Sequence, residues 1–318
     1  MYKTIVNQDL EQATNLLYNG NVVAIPTETV YGLAANALNS DAVLEIFKVK
    51  ERPFFDPLIV HVHSVTAAAQ WVEEIPEAAH LLFEAFSPGP LTILLPKKNI
   101  ISDLVTSGLP QVAIRIPNHP LALALLEKTN LPLAAPSANP FGYISPTSSQ
   151  HVFDQLQGKI QMILDGGTCE VGVESTIVGF EEGKTIVYRL GGLEVEAIEK
   201  VVGKVVIKTN NSSNPKSPGM LKSHYAPRKP LYLQPIEDDF FIEINKKIGV
   251  ISFSKSFPQA NIQQILSLKG DLHEAAKNLF SAMRFLDEQD IDIIIAEPLP
   301  NKGLGRAIND RLKRASSR

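Results

Sequence analysis

Lys48-Val-Lys-Glu-Arg-Pro-Phe-Phe-Asp-Pro-Leu-Ile-Val-His-Val-His63 joins the end of a helical pattern to a short apolar strand, and it gathers three cations and two imidazoles around that junction. The whole chain carries a net charge of −4, so cations packed this closely are easiest to understand around something anionic. Arg52 offers a planar fork for phosphate or carboxylate, whereas Lys48 and Lys50 are compact point charges. The plainer reading of the same residues is a helix capped by Ser40-Asp41 and running to about Lys50, whose last-turn cations complement its dipole.

Working outward, helical and strand patterns alternate through residues 1–207. Helices are expected at Asp9–Asn19, Asp41–Lys50, Ala67–Val72, Pro76–Phe86 and Leu121–Lys128. Strands are expected at Val22–Pro26, Leu58–Val62, Leu91–Leu95, Val112–Ile116, Leu131–Ala135, Ile160–Asp165, Ser175–Phe180 and Thr185–Arg189. This mixture predicts one large α/β domain, residues 1–208, built on a twisted mixed sheet with flanking helices. Residues 209–230 are polar and turn-rich and read as a linker. Beyond them, Ile248–Phe253, a helix over Asp271–Asp287, Ile291–Ala296 and a final helix over Arg306–Arg314 outline a smaller Rossmann-like α/β domain, residues 231–318.

Composition narrows the function classes. At 318 residues, 44% hydrophobic and 20% charged, the chain has the make-up of a soluble globular protein. No apolar run reaches the length of a membrane span, and a cytoplasmic location is expected. The single cysteine, Cys169, excludes an internal disulfide and reads as an incidental thiol. Net acidity argues against a general nucleic-acid coat. Neither metal-ligand spacing nor a Gly-x-x-x-x-Gly-Lys-Ser/Thr phosphate loop is present, so a nucleotide would need another device.

Small polar groups cluster where strands end. Pro26-Thr-Glu-Thr29-Val-Tyr-Gly32 follows one strand, Arg115 stands among apolar strand neighbours, and Pro136-Ser137-Ala-Asn-Pro140 follows another. Asp165-Gly-Gly, Glu174-Ser175-Thr176 and Arg189-Leu-Gly-Gly192 complete the set. Each alone is equally a turn or a cap, and Ser145 is a candidate cap for a helix through His151. Together they are better explained by one shared cleft.

These segments closely resemble the YrdC-type L-threonylcarbamoyladenylate synthases. The resemblance is carried by Pro26–Ala37, Lys50-Glu-Arg-Pro53, Pro57-Leu-Ile-Val-His61, Ser87-Pro-Gly-Pro-Leu-Thr92, Ala113-Ile-Arg-Ile-Pro117, Ala135-Pro-Ser-Ala-Asn139 and Gly172-Val-Glu-Ser-Thr176. Ser217-Pro-Gly-Met220 and His224-Tyr-Ala-Pro227 extend it into the linker, and Gly303-Leu-Gly-Arg-Ala-Ile-Asn-Asp-Arg311 carries a looser match to the C-terminal domain of the longer members. It implies that L-threonine, bicarbonate or CO2, and ATP give threonylcarbamoyl-AMP and pyrophosphate, with Mg2+ accompanying ATP. A downstream transferase would pass the threonylcarbamoyl group to tRNA, and weak tRNA binding by this chain is an allied expectation.

By the same resemblance, Thr29, His61, Arg115, Ala135 and Ser175 would contact threonine. Lys50, Arg52, Asp56, Gln111, Ser137, Ser145, Arg189 and Tyr225 would face ATP, with Lys50 and Arg52 carrying the catalytic charge and Tyr225 covering the nucleotide. Asp56 departs from the residues usual at its position; a carboxylate repels phosphate, so a hydroxyl, a metal ion or a neighbouring cation is its expected partner. His61 is a candidate base. An RNA-binding module and a carbamoyl-phosphate-using transferase are the competing classes. The first is disfavoured by net acidity and the lack of aromatic stacking platforms, the second by the lack of accompanying zinc-finger and acylphosphatase segments.

Overall fold

The computed structural model describes residues 2–209, 224–236 and 246–317. Eleven strands of the larger unit form one mixed sheet: β1 (Ile5–Asn7), β2 (Val23–Ile25), β3 (Gly32–Asn36), β4 (Ile59–His61), β5 (Leu91–Pro96), β6 (Gln111–Arg115), β7 (Leu133–Ala134), β8 (Met162–Leu164), β9 (Thr176–Glu181), β10 (Lys184–Arg189) and β11 (Val206–Ile207). They lie in the order β1-β8-β2-β3-β7-β4-β6-β5-β9-β10-β11. The second unit is a four-stranded parallel sheet of β12 (Leu231–Leu233), β13 (Ile248–Ser252), β14 (Ile262–Ile265) and β15 (Ile293–Ala296), in the order β12-β15-β13-β14. The helix Leu272–Glu288 connects β14 to β15.

The helix expected to end near Lys50 spans Ser40–Lys50 and is capped by Asn39, whose side chain accepts from the backbone of Asp41 and Ala42. Glu51 stops it in the left-handed region, at φ 55°, and the turn it makes sends Arg52 back toward the sheet. Three expectations need correction. Gly32–Asn36, read as part of a strand-end turn, is a buried strand paired with β2 and β7. The helix Ser149–Leu156 is capped by Ser148, whose hydroxyl accepts from the His151 N–H, while Ser145 is committed elsewhere. The helix expected over Ala67–Val72 is a single turn, Val65–Ala68.

Pairing registers position the site. His61 on β4 pairs with Arg115 on β6, Arg115 with Thr92 on β5, Thr92 with Ile177 on β9, and Ile177 with Arg189 on β10. Directly opposed residues share a sheet face, so five strands present one crosswise row. A register shift between Val187 and Arg189 marks a bulge, which re-aims the arginine at the row's end.

The two units share a core. Val30, Ile144 and Val173 of the larger unit pack into the cluster of Leu279, Phe280, Met283 and Ile294 of the smaller one. The backbones approach closely at Gly172, with φ +79°, where a Cβ would stand 2.4 Å from Lys277 Cα. Of the expected linker, residues 210–223, including Ser217-Pro-Gly-Met220, lie outside the described residues. Residues 224–230 are described and cross the face of the larger sheet, with His224 and Tyr225 buried. Among the described residues no helix is long and apolar enough to cross a membrane.

Candidate active site

His61, Arg115 and Arg189 of the crosswise row line a pocket walled by Arg52, Pro57, Ala135, Ser137, Glu174, His224 and Tyr225. Arg52, His61, Arg115, Ala135, Ser137, Arg189 and Tyr225, all named from the sequence, line it together. Thr29, Ser175, Lys50, Asp56 and Ser145 form a layer around that lining. Gln111 does not join them; it begins the five-residue β6 that Arg115 ends, roughly 13 Å away along an extended strand.

Each cation has a specific set of partners. Arg52 pairs with Asp56 at 2.9 Å and donates to the Asp56 and Pro57 carbonyls at 3.2 and 2.9 Å. A neighbouring cation is therefore what Asp56 meets. Both groups are buried, and burial raises the Asp56 carboxyl above its usual range while Arg52, Lys50 and Arg189 oppose the rise. Arg115 Nη2 stands 2.8 Å from Glu28 Oε1 without an aligned N–H, an ion pair that leaves hydrogen-bonding capacity on both partners. Arg189, whose pKa burial lowers to about 10, donates to the Ser175 carbonyl and hydroxyl, each at 3.0 Å. Ser175 in turn shares a 2.7 Å hydrogen bond with Thr92.

Lys50 is buried and is held by backbone carbonyls. Its Nζ donates to the backbone carbonyls of Ser137 and Asn139, tying the loop after β7 to the helix end. Burial, then Arg52, holds its pKa well below the ordinary lysine value. Lys48 by contrast is an exposed helix-end charge paired with Glu45. Thr29 is buried against the Thr27 hydroxyl at 2.8 Å.

Sequence reading placed Glu28 and Glu174 in its polar clusters and Arg311 in a family motif, but assigned a role to none of the three. Glu174 Oε1 accepts from the Ser145 hydroxyl at 2.5 Å, and its Oε2 accepts from Arg311 Nε at 2.8 Å. Burial alone would raise the Glu174 carboxyl, but Arg311, Arg189 and Ser145 outweigh it and hold it below its usual range. Arg311 belongs to the helix Gly305–Ala315 of the smaller unit, so only the fold brings it here. The sequence signal was present in the motif ending at Arg311, which carried a family likeness but no assigned role.

His61 is neutral. Burial, then Arg115, lowers its pKa to about 3, and its Nδ1 has no hydrogen-bond partner among the described residues. Such a ring accepts a hydrogen bond readily but holds a proton poorly, which removes it as a general base near neutrality. Burial also lowers His151 to about 4 and His224 well below the histidine range. The three stay neutral when folded and become charged near pH 6.5 when unfolded, so stability is full above that pH and falls as pH drops toward 4. Asp56, with its raised carboxyl, acts in the opposite sense. Unfolding is expected to take up roughly 1.5 protons at pH 6.5, rising to about two to three near pH 5, measurable as a steep loss of the urea midpoint between pH 7 and 5. A flat midpoint over that interval excludes the neutral, buried state of these rings.

Comparison with known proteins identifies the family of the chain. A family model described as "Telomere recombination", covering Sua5, YciO and YrdC, matches residues 15–191, and one described as "Threonylcarbamoyl-AMP synthase, C-terminal domain" matches residues 193–317. Proteins named threonylcarbamoyl-AMP synthase from Pyrococcus abyssi and Bacillus subtilis are 42% and 41% identical, each over 96% of this chain and over 93% and 92% of their own lengths. The crystal structure of P. abyssi Sua5 complexed with L-threonine superposes with a TM-score of 0.92 at 40% identity, covering 98% of this chain and 97% of that one. The structure of E. coli YciO, at a TM-score of 0.56 and 20% identity over 62% of this chain, shares the fold of the larger unit.

Proposed function

Because the chain belongs to the threonylcarbamoyl-AMP synthases of the Sua5/YciO/YrdC family, we propose that it joins L-threonine, bicarbonate or CO2, and ATP into threonylcarbamoyl-AMP and pyrophosphate. The observation that carries this reading is the convergence of Arg52, Arg115 and Arg189 on one pocket beside His61 and Tyr225. In the reaction the threonine amine adds to CO2 and loses a proton. The carbamate oxygen then bonds to the α-phosphorus, and the bond from that phosphorus to the β-phosphate bridging oxygen breaks as pyrophosphate leaves. Both reactants are anionic, so the residues must neutralise charge and hold alignment; no covalent nucleophile is required.

In this reading Arg115 takes the threonine carboxylate, its guanidinium held in place by Glu28. Neutral His61 accepts from the amine, and Thr29, Ala135 and Ser175 shape the remaining wall. Arg52, Arg189, Ser137 and Ser145 serve the phosphates and nucleotide, with Lys50 and Asp56 supporting Ser137 and Arg52 respectively. Tyr225 covers the nucleotide and excludes water from the reactive anhydride. Among the described residues no group of three His, Cys, Asp or Glu could hold a metal ion. Mg2+ would therefore enter with ATP and be held through the phosphates, where it supplies charge neutralisation. A mixed anhydride of this kind calls for a transferase that moves the acyl group on to tRNA.

The purified chain with ATP, bicarbonate and L-threonine is expected to release pyrophosphate only when all three are present, with threonylcarbamoyl-AMP detectable by mass spectrometry. Pyrophosphate release that ignores threonine, or turnover that requires carbamoyl phosphate, excludes this reaction.

A further inference from the structure

We infer that Arg311 is a positioning residue for the nucleotide side of the pocket, through which the smaller unit sets the competence of a site built by the larger one; this deepens the function proposed above and rests on it. Arg311 is fully buried and uses each part of its guanidinium differently. Nε donates to Glu174 at 2.8 Å, Nη2 to the Leu190 carbonyl at 2.9 Å, and Nη1 to Asp310 at 2.8 Å. Its plane lies 5.1 Å from the centre of the Tyr225 ring, which also stacks on Phe280 at 5.6 Å. One side chain thus fixes the carboxylate that orients Ser145, the backbone next to Arg189, and the ring that covers the pocket.

An arginine placed only for adhesion between the units would need one carboxylate. This one instead touches three pocket-forming segments that are far apart in sequence, and its fork geometry cannot be matched by a lysine. Glu174 is faced by Arg311 from the helix Gly305–Ala315, Arg189 from β10, Ser145 from the loop before Ser149–Leu156, and Tyr225 from the strap over the sheet. Asp310 and Arg314 lie behind Arg311 and pair with each other at 3.0 Å. Without Arg311 the carboxylate keeps only Arg189 and Ser145 against the effect of burial, so it takes up a proton at higher pH, and Ser145 loses its fixed acceptor.

The test compares wild type with Arg311→Met, Arg311→Lys and the double variant Glu174→Gln/Arg311→Met, by equilibrium ATP binding, by separate KM values for ATP and threonine, and by pH profile. Arg311→Met is expected to weaken ATP binding and raise the ATP KM by roughly 10²-fold, with the threonine KM little changed. Its activity should gain an acid limb additional to the one that protonation of the threonine amine imposes on wild type. The double variant removes the titrating carboxylate, so it should lose that additional limb yet keep the raised ATP KM, and Arg311→Lys should recover only part of the loss. Wild-type ATP affinity and pH profile in folded Arg311→Met overturn the inference. Where the single variant does not fold, the charge-neutral double variant decides on its ATP affinity alone. Wild type that binds ATP without threonine-dependent pyrophosphate release refutes the proposed reaction, and the binding comparison still judges Arg311.

Discussion

Arg52→Ala is expected to lower kcat/KM for threonine-dependent pyrophosphate release by about two to three orders of magnitude, the scale of losing one preorganised charged donor. The guanidinium is aimed by three constraints: the left-handed turn at Glu51, the Asp56 and Pro57 carbonyls, and the Asp56 carboxylate. A lysine cannot make these contacts simultaneously, so Arg52→Lys is expected to recover little. The alanine variant also leaves Asp56 buried without its closest cation, and part of the loss could reflect folding alone. Arg52→Ala/Asp56→Asn separates the two causes, because it removes the stranded charge as well. Activity that stays low in a stably folded double variant assigns Arg52 to the reacting phosphates. Recovery in the double variant would mean that Arg52 serves only to neutralise Asp56.

Lys50→Met is expected to cost both stability and activity. The lysine amine is the donor to two backbone carbonyls, Ser137 and Asn139, in a loop whose Ala135 and Ser137 wall the pocket. The Ser137 carbonyl also accepts from the Asn139 N–H, so the variant strands chiefly the buried Asn139 carbonyl, at a cost of about 1–3 kcal/mol, read from urea unfolding at constant m-value. Activity should fall in the folded fraction as well, since a loosened 135–139 segment misplaces its wall of the pocket. A stability change below about 1 kcal/mol combined with a large rise in the ATP KM would assign Lys50 to the nucleotide directly instead of to the loop.

Much of the larger domain was legible because its strands are short apolar runs bounded by Pro, Gly and polar turns, as at Leu91–Pro96 and Gln111–Arg115. Gly32–Asn36 escaped because its residues are small and one is glycine, a composition with weak strand preference. Its strand state is set by burial between β2 and β7. The site was legible as residue types and illegible as pairs. Arg115 announces itself in an apolar strand, but nothing local says that Glu28 is its partner. Ser145 looks like a helix cap because hydroxyls near helix starts usually are, and only its contact with Glu174 shows otherwise. Gln111, named through the family resemblance, stands at the far end of β6 from Arg115 and outside the lining of the pocket. Arg311 is separated from Glu174 by 137 positions, and no periodicity or spacing spans such a gap.

That separation also has a meaning in time. Arg311 follows Arg189 by roughly 120 residues, and a ribosome adding about 5–20 residues per second needs on the order of ten seconds to make them. During that interval the larger domain is free to collapse around its own core while Glu174 awaits the guanidinium that pairs with it. Completion of the pocket is thereby scheduled late in synthesis, after every strand of the larger sheet has been made.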